Sequence, residues 1–366
     1  MVRAADRAAA IGASALQVFS DNPTSWRRRQ TLPRELPAFR HRLDALDIAP
    51  LSIHAPYLVN LASPEPDLHA QSVAVLANEL RVAAAYGARF VNVHVGSHRG
   101  AGVDAGVDRL AHGIRLALEL AGTDATPGTD AVPQTDAASQ TDAGPGADAV
   151  ILVLENGSGA GFGMGASFEE LRLIDEAVAA TGIDRGRFGF CLDTAHAWGA
   201  GYPIDTPAGV DETLDGFDRL LGLGRLHMVH VNDSRSERGS LADRHEHVGA
   251  GRIGAAGLGR ILTHPALDHV AYYLETPGME SGYDAVNVAR ALDIAAGRPL
   301  ADLPPEAFET RASRGHSAPP ETEGDLPAAV GDPPVAEGDL PAAVGDPPRT
   351  VGDPPVASPR SGRSGR

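Results

Sequence analysis

FGFCLDTAHAWGAGY, residues 188–202, runs from an apolar, aromatic-leaning stretch straight into Asp193 and His196, with glycines behind them. A short apolar run bounded by turn residues reads as a strand buried on both faces. Six more runs have the same character: ALQVF at 15–19, LSIHA at 51–55, FVNVHV at 90–95, VILVLE at 150–155, LHMVHV at 226–231 and VAYYLE at 270–275. Helical patterns separate them, among them DLHAQSVAVLANELRVAAAYGA and SFEELRLIDEAVAATG. Strands that alternate with helices and are apolar almost throughout predict an α/β fold with a covered parallel sheet.

Two low-complexity segments stand outside this pattern. Residues 122–149 repeat Thr-Asp-Ala every six positions, and the C-terminal region repeats EGDLPAAVGDPP at 323 and 337. Neither has the large apolar residues a core needs, so both are expected to be disordered. The expected organisation is one domain over 1–300 carrying the insert 122–149, then a Pro/Gly/Asp-rich tail over 301–366. Without insert and tail the chain has 272 residues, close to the ~250 of a (β/α)8 barrel. A closed barrel needs eight strands and only seven are legible. The first element is a helix over 3–12 leading into the run at 15–19. The missing strand therefore belongs before Met1, or the barrel is open or patched.

The net charge of −17 argues against a nucleic-acid partner less strongly than it first suggests. Insert and tail carry −5 each, leaving −7 for the rest, and bound divalent metals would offset part of that. No apolar run approaches the ~20 residues of a membrane helix. Cys191, the single cysteine, forms no internal disulfide, and a cytoplasmic location follows as the expectation.

In barrels of this kind functional groups gather at the C-terminal ends of the strands. Here those ends carry His54, His94, Glu155, Asp193 with His196, His230 and Glu275, and a later loop adds Asp243 and His245. Any one of them has a structural reading: Asp193 can cap the helix TAHAW, and Glu275 can accept from a loop amide. Six consecutive strand ends so equipped are not explained that way. Five histidines, two Glu and two Asp are nitrogen and oxygen donors, which favours Zn, Mn or Fe over Ca or Mg. Nine donors exceed one coordination shell, so several ions are implied, with Glu155 placed to bridge. Asp193 and His196 reach the same rim and are expected to serve different ions.

The motifs HAPYLVNL, NVHVGSH, LEN with spaced glycines, CLDTAHAWGAGY, HVNDS and DRHEHVGAGRIG occur in this order. Together they resemble the endonuclease IV family of abasic-site endonucleases over about residues 9–300, the insert excepted. The resemblance implies a xylose-isomerase-like barrel holding three zinc ions, with Mn or Fe as possible substitutes. It implies His54 and His94 on one ion, Glu155 bridging to a second completed by Asp193, His230 and Glu275, and His196, Asp243 and His245 on the third. Glu155 and Glu275 are the implied catalytic carboxylates. The implied reaction hydrolyses the phosphodiester 5′ to an abasic site, leaving a 3′-hydroxyl and a 5′-deoxyribose phosphate, with removal of 3′-blocking groups besides. The implied partner is double-stranded DNA containing abasic sites, met by a monomer associated with the nucleoid.

Tyr57 matches an aromatic residue that the family inserts near the lesion, with a core tyrosine as the alternative. FSDNPTSW at 19–26 matches a loop that probes the minor groove, although Pro23 and Thr24 stand where some members carry Gln-Arg. Trp26 and Arg27, with Arg28 and Arg29 behind them, suit phosphate contact; a solvated helix start is the equal alternative. Two rival functions remain. A divalent-metal sugar isomerase or epimerase on the same barrel would need only Glu155, Asp193, His230 and Glu275. An inactive DNA-binding relative would have no reason to keep all nine donors.

Overall fold

The computed structural model describes residues 1–123 and 150–309. Seven strands form one parallel sheet in the order β1–β2–β3–β4–β5–β6–β9, curled into a nearly closed barrel. They are β1 (Leu16–Val18), β2 (Leu51–His54), β3 (Phe90–His94), β4 (Ile151–Glu155), β5 (Phe188–Asp193), β6 (Leu226–His230) and β9 (Ala271–Tyr273). Each lies within the run that predicts it. A two-strand antiparallel hairpin, β7 (Asp233–Ser234) and β8 (His245–Glu246), is inserted after β6. The curl brings non-neighbouring strands into contact: Ser52 Oγ of β2 lies 3.7 Å from Met228 Sδ of β6. Likewise Tyr273 Oη of β9 donates to the carbonyl of Pro50 at 3.1 Å.

Strands β2, β4 and β5 are buried along their whole length, whereas β1 is only partly buried throughout. The reason is topological. Among the described residues β1 pairs only with β2, and β9 only with β6, so both are edges. The eighth strand that a closed barrel requires is not among the described residues. The helix expected over 3–12 is α1 (Val2–Ala10), ahead of β1.

Helices cover the outside. Connections between strands are α2 (Leu36–Ala45), α3 (Pro66–Tyr86), α4 (Val103–Thr123), α5 (Phe168–Ala180), α6 (Thr194–Ala200), α7 (Pro207–Leu221) and α8 (Gly254–Leu262); α9 (Tyr283–Ala295) follows β9. Start signals are local: Ser167 caps α5 by accepting from Glu170 N at 3.2 Å, and Thr206 caps α7 from Gly209 N at 3.1 Å. Gly189 interrupts the apolar run of β5 for a steric reason. A Cβ there would sit 2.3 Å from the His227 ring on the adjacent strand.

The sequence boundary at 300 falls too early. Pro305–Glu309 forms a 3-10 turn whose Ala307 is fully buried, its carbonyl 2.9 Å from His247 Nε2. His247 is thereby a structural core residue, with Asn287 on its other nitrogen at 3.3 Å. The expectations for 124–149 and 310–366 lie outside the described residues. No described helix is long and apolar enough to cross a membrane.

Residues 19–35 form a loop without regular structure, so the alternative of a helix start at the arginine run does not hold. Arg28 turns inward onto Glu79 of α3 at 3.5 Å, and both side chains are nearly inaccessible. Ser20 donates to the same carboxylate. This buried pair anchors the loop to the barrel. Arg28→Leu strands a buried carboxylate and is expected to cost about 3–5 kcal/mol. Urea unfolding checks this, and adding Glu79→Leu should return most of the loss.

Candidate metal centre

All nine expected donors sit on one rim of the barrel. His54, His94, Glu155, Asp193 and His230 are the last residues of β2 to β6. His196 lies in the first turn of α6, His245 opens β8 with Asp243 two residues before it, and Glu275 lies two residues past β9. His54, Glu155, Asp193, His196 and His230 are buried. Glu275, His94 and Asp243 face outward at 26%, 36% and 38% side-chain exposure, which marks the open side of the site.

Within this rim, donor atoms of three sets fall inside 4.8 Å of one another: His54, His94 and Glu155; Glu155, Asp193, His230 and Glu275; Asp193, His196 and His245. Asp243 stands against the last set, 3.3 Å from His196 Nε2 and 3.1 Å from His245 Nε2. Asp193 thus touches two sets, where the sequence expectation gave it one. The cause is its capping role: Asp193 Oδ1 accepts from His196 N at 2.8 Å, which holds the carboxylate beside the ring. Capping and donor roles coexist in one side chain.

Whether these residues suit metal ions can be judged from their unsatisfied atoms. Each of four imidazoles is pinned through one nitrogen. His54 Nδ1 lies 2.6 Å from Ala55 O, His196 Nδ1 3.0 Å from Asn156 O, His245 Nδ1 2.7 Å from Glu275 O, and His230 Nε2 3.3 Å from Gln17 Oε1. The inward nitrogens His54 Nε2, His230 Nδ1 and His245 Nε2 are buried without a hydrogen-bond partner, and so is Glu155 Oε1. Leaving such groups unsatisfied costs about 1–3 kcal/mol each. Imidazoles oriented through their far nitrogen are the usual second half of a metal site. The donor set fits cations of the zinc class.

The electrostatics agree. Burial disfavours charge on Glu155, but His94 and His230 outweigh it and hold the carboxyl well below its usual range. Burial likewise opposes protonation of His196 and His230, and the surrounding acidic groups raise both well above the usual imidazole value. His245 is raised to about 9, its burial overcome by Asp193 and Asp243. Glu275, against burial, is lowered to about 2 by His230. Carboxylates and imidazoles thus hold one another in their charged forms, and a divalent cation entering the pocket would take the place of the imidazole protons. Cys191 Sγ also approaches Glu155 and His230, but burial pushes its thiol up to about 12, so it is not a thiolate at neutral pH.

Over these donors lies a cleft of about 380 Å³, floored by His94, Glu155, His196 and Asp243. Tyr57 and Asn60 form one wall and the loop from Gly157 to Met164 the other. The Asn60 wall needs a glycine beside it: Gly96 has φ +85°, and a Cβ there would lie 2.4 Å from Asn60 Oδ1.

A family model described as a xylose isomerase-like TIM barrel matches residues 5–297. A probable endonuclease 4 of Methanoculleus marisnigri is 38% identical over 295 residues, covering 80% of this chain and 94% of the relative. The chain belongs to the endonuclease IV family. Endonuclease IV of Thermus thermophilus has a crystal structure matching with a TM-score of 0.63 at 35% identity, over 80% of this chain and 94% of that one. A D-tagatose 3-epimerase-like protein matches at TM-score 0.55 and 18% identity, over 78% and 91% of the two chains, and shares the fold alone. As an endonuclease IV family member the chain is a deoxyribonuclease IV-type hydrolase.

Four amide side chains around the donors carry roles that sequence reasoning does not assign. Asn92 Nδ2 donates to Glu155 Oε2 at 2.5 Å, and Asn232 Nδ2 to Asp193 Oδ2 at 2.6 Å. Asn156 accepts from Asp193 N at 2.7 Å, and Gln17 Nε2 donates to Glu275 Oε1 at 2.9 Å. A signal exists for three. Asn156 follows a donor directly, while Asn92 and Asn232 lie two residues from His94 and His230, on the same strand face or just past it.

The residues expected to meet DNA separate. Tyr57 is 49% exposed, not a core tyrosine, and packs edge-on against Phe19 at 5.4 Å beside His54. Trp26 instead packs partly buried against the hydrophobic core and does not line the cleft. Of the arginines, Arg28 is buried on Glu79 and Arg29 binds Asp21, while Arg27 is exposed.

Proposed function

We propose that this protein is a zinc-dependent abasic-site endonuclease that hydrolyses the phosphodiester 5′ to the lesion, leaving a 3′-hydroxyl and a 5′-deoxyribose phosphate. The reading includes removal of 3′-blocking groups, since a cleft that admits one phosphodiester at a baseless sugar also admits a terminal one. One observation carries it: nine nitrogen and oxygen donors line a single rim, and four of their inward atoms are buried without partners. A one-ion sugar isomerase accounts for Glu155, Asp193, His230 and Glu275 and leaves His54, His94, His196, Asp243 and His245 unexplained.

In this proposal His54, His94 and Glu155 hold one ion, Glu155, Asp193, His230 and Glu275 a second, and His196, Asp243 and His245 a third. Such ions supply an acidified water at neutral pH and positive charge for attacking and departing oxygens. The protein's own contribution is placement. Glu275 is the one carboxylate of the second set whose side chain is partly exposed, Glu155 and Asp193 being fully buried, and it is assigned the proton of the attacking water. Glu155, wholly buried and held by Asn92, keeps the two neighbouring donor sets in register. Tyr57 stands exposed at the cleft wall, where a ring can occupy the space of the lost base; an abasic nucleotide is the cheapest to extrude because it has no base to unstack. Arg27 is free to meet backbone phosphate, and Trp26 shapes the loop that carries it.

Every donor comes from one chain, so a monomer suffices, acting on double-stranded DNA at the nucleoid. The test is elemental analysis with activity assays on purified protein. Close to three zinc equivalents per chain and nicking of an abasic duplex without added magnesium are expected, with Mn or Fe tolerated in place of zinc. One metal per chain, with aldose turnover and no nicking, would replace this reading by the isomerase.

A further inference from the structure

The open side of the barrel falls where the proposed second ion set needs support. Among the described residues no ladder hydrogen bond joins β1 to β9, and Glu275 sits just beyond β9, partly exposed. One side chain crosses that seam at the rim. Gln17 of β1 is in register with Ser52, whose hydroxyl meets Met228 inside the barrel, so Gln17 points inward too. Its Nε2 donates to Glu275 Oε1 at 2.9 Å, and its Oε1 lies 3.3 Å from His230 Nε2.

These two contacts leave the amide a single orientation. A carboxylate only accepts, so the NH2 group must face Glu275 and the carbonyl must face His230. A carbonyl only accepts, so His230 Nε2 must carry a hydrogen. In the neutral ring the lone pair then sits on Nδ1, the atom that is buried without a partner. From there Nδ1 looks at Glu275 Oε2 at 3.2 Å, Glu155 Oε1 at 3.5 Å and Asp193 Oδ2 at 3.8 Å. One carboxamide therefore selects the donor nitrogen of His230 and aims the carboxylate of Glu275.

We propose that Gln17 is a positioning residue for the metal site, the clasp that orders His230 and Glu275 across the unpaired edge of the sheet. The assignment rests on the metal-dependent reading above. Its test replaces Gln17 by Met, which keeps the length but loses both hydrogen bonds, and by Glu, which keeps only the acceptor towards His230. Zinc retention is read by titrating the purified proteins with a chromophoric chelator, and the His230 tautomer by 15N NMR. Loss of such outer support typically weakens metal binding about 10- to 100-fold. That weakening is expected for one class of zinc in Gln17→Met, with a mixed His230 tautomer, and kcat should fall more than KM rises. Gln17→Glu should keep the tautomer yet still release zinc, because it sets two carboxylates against each other. Wild-type zinc retention and tautomer in a folded Gln17→Met protein would overturn the assignment. If instead the wild-type protein holds no zinc and does not nick, it is the metal-dependent reading that falls.

Discussion

Glu155→Gln should lower nicking of an abasic duplex by at least about 1000-fold, an effect of about 4 kcal/mol on the barrier. The residue is fully buried, with His54 Nε2, His196 Nδ1 and His230 Nδ1 at 3.5, 3.2 and 3.5 Å. Gln has nearly the same shape and still offers Asn92 an oxygen, so the barrel should remain folded. What it removes is the charge shared between two donor sets. Zinc content should drop with activity, and the far-ultraviolet circular dichroism should not change. Retention of both nicking and zinc would deny Glu155 its bridging place.

The second large effect is expected from metal removal. Stripping the protein with a strong chelator should abolish nicking, and returning zinc should restore it. A ligand that binds only the folded state stabilises it by about 4 kcal/mol at a thousand times its dissociation constant. For a folded region of this size that corresponds to roughly 5–8 °C in the melting temperature. Calorimetry of loaded and stripped protein measures it. The sign with pH also follows. His245 keeps its proton to about pH 9, so loading displaces protons and the ions should be lost more readily as pH falls. An unchanged melting curve after stripping would leave the convergent donors without their proposed occupant.

Much of this is legible in the sequence because burial leaves a plain signature. Strands β2 to β6 are packed between barrel interior and helices, so apart from Ser52, Asn92 and His227 their residues are apolar or glycine until the rim, where His54, His94, Glu155, Asp193 and His230 break the run. The two edge strands are legible only as longer runs, since pairing on one side alone supports three residues each. The amides are harder. Asn92, Asn156, Asn232 and Gln17 carry no charge, and each resembles an ordinary turn or strand polar residue until its partner from another strand is known. The arginine run hides its role for the same reason. Nothing local tells Arg28 that Glu79, 51 positions away, lies beneath it.

The scatter of the donors along the chain has one more consequence. They begin at residue 54 and finish at 275, one after nearly every strand. During synthesis, a ribosome that has released only the first half of the barrel has produced the first trio and nothing able to cut. On the proposed assignment the second donor set stays incomplete until Glu275, two residues past β9, has been made.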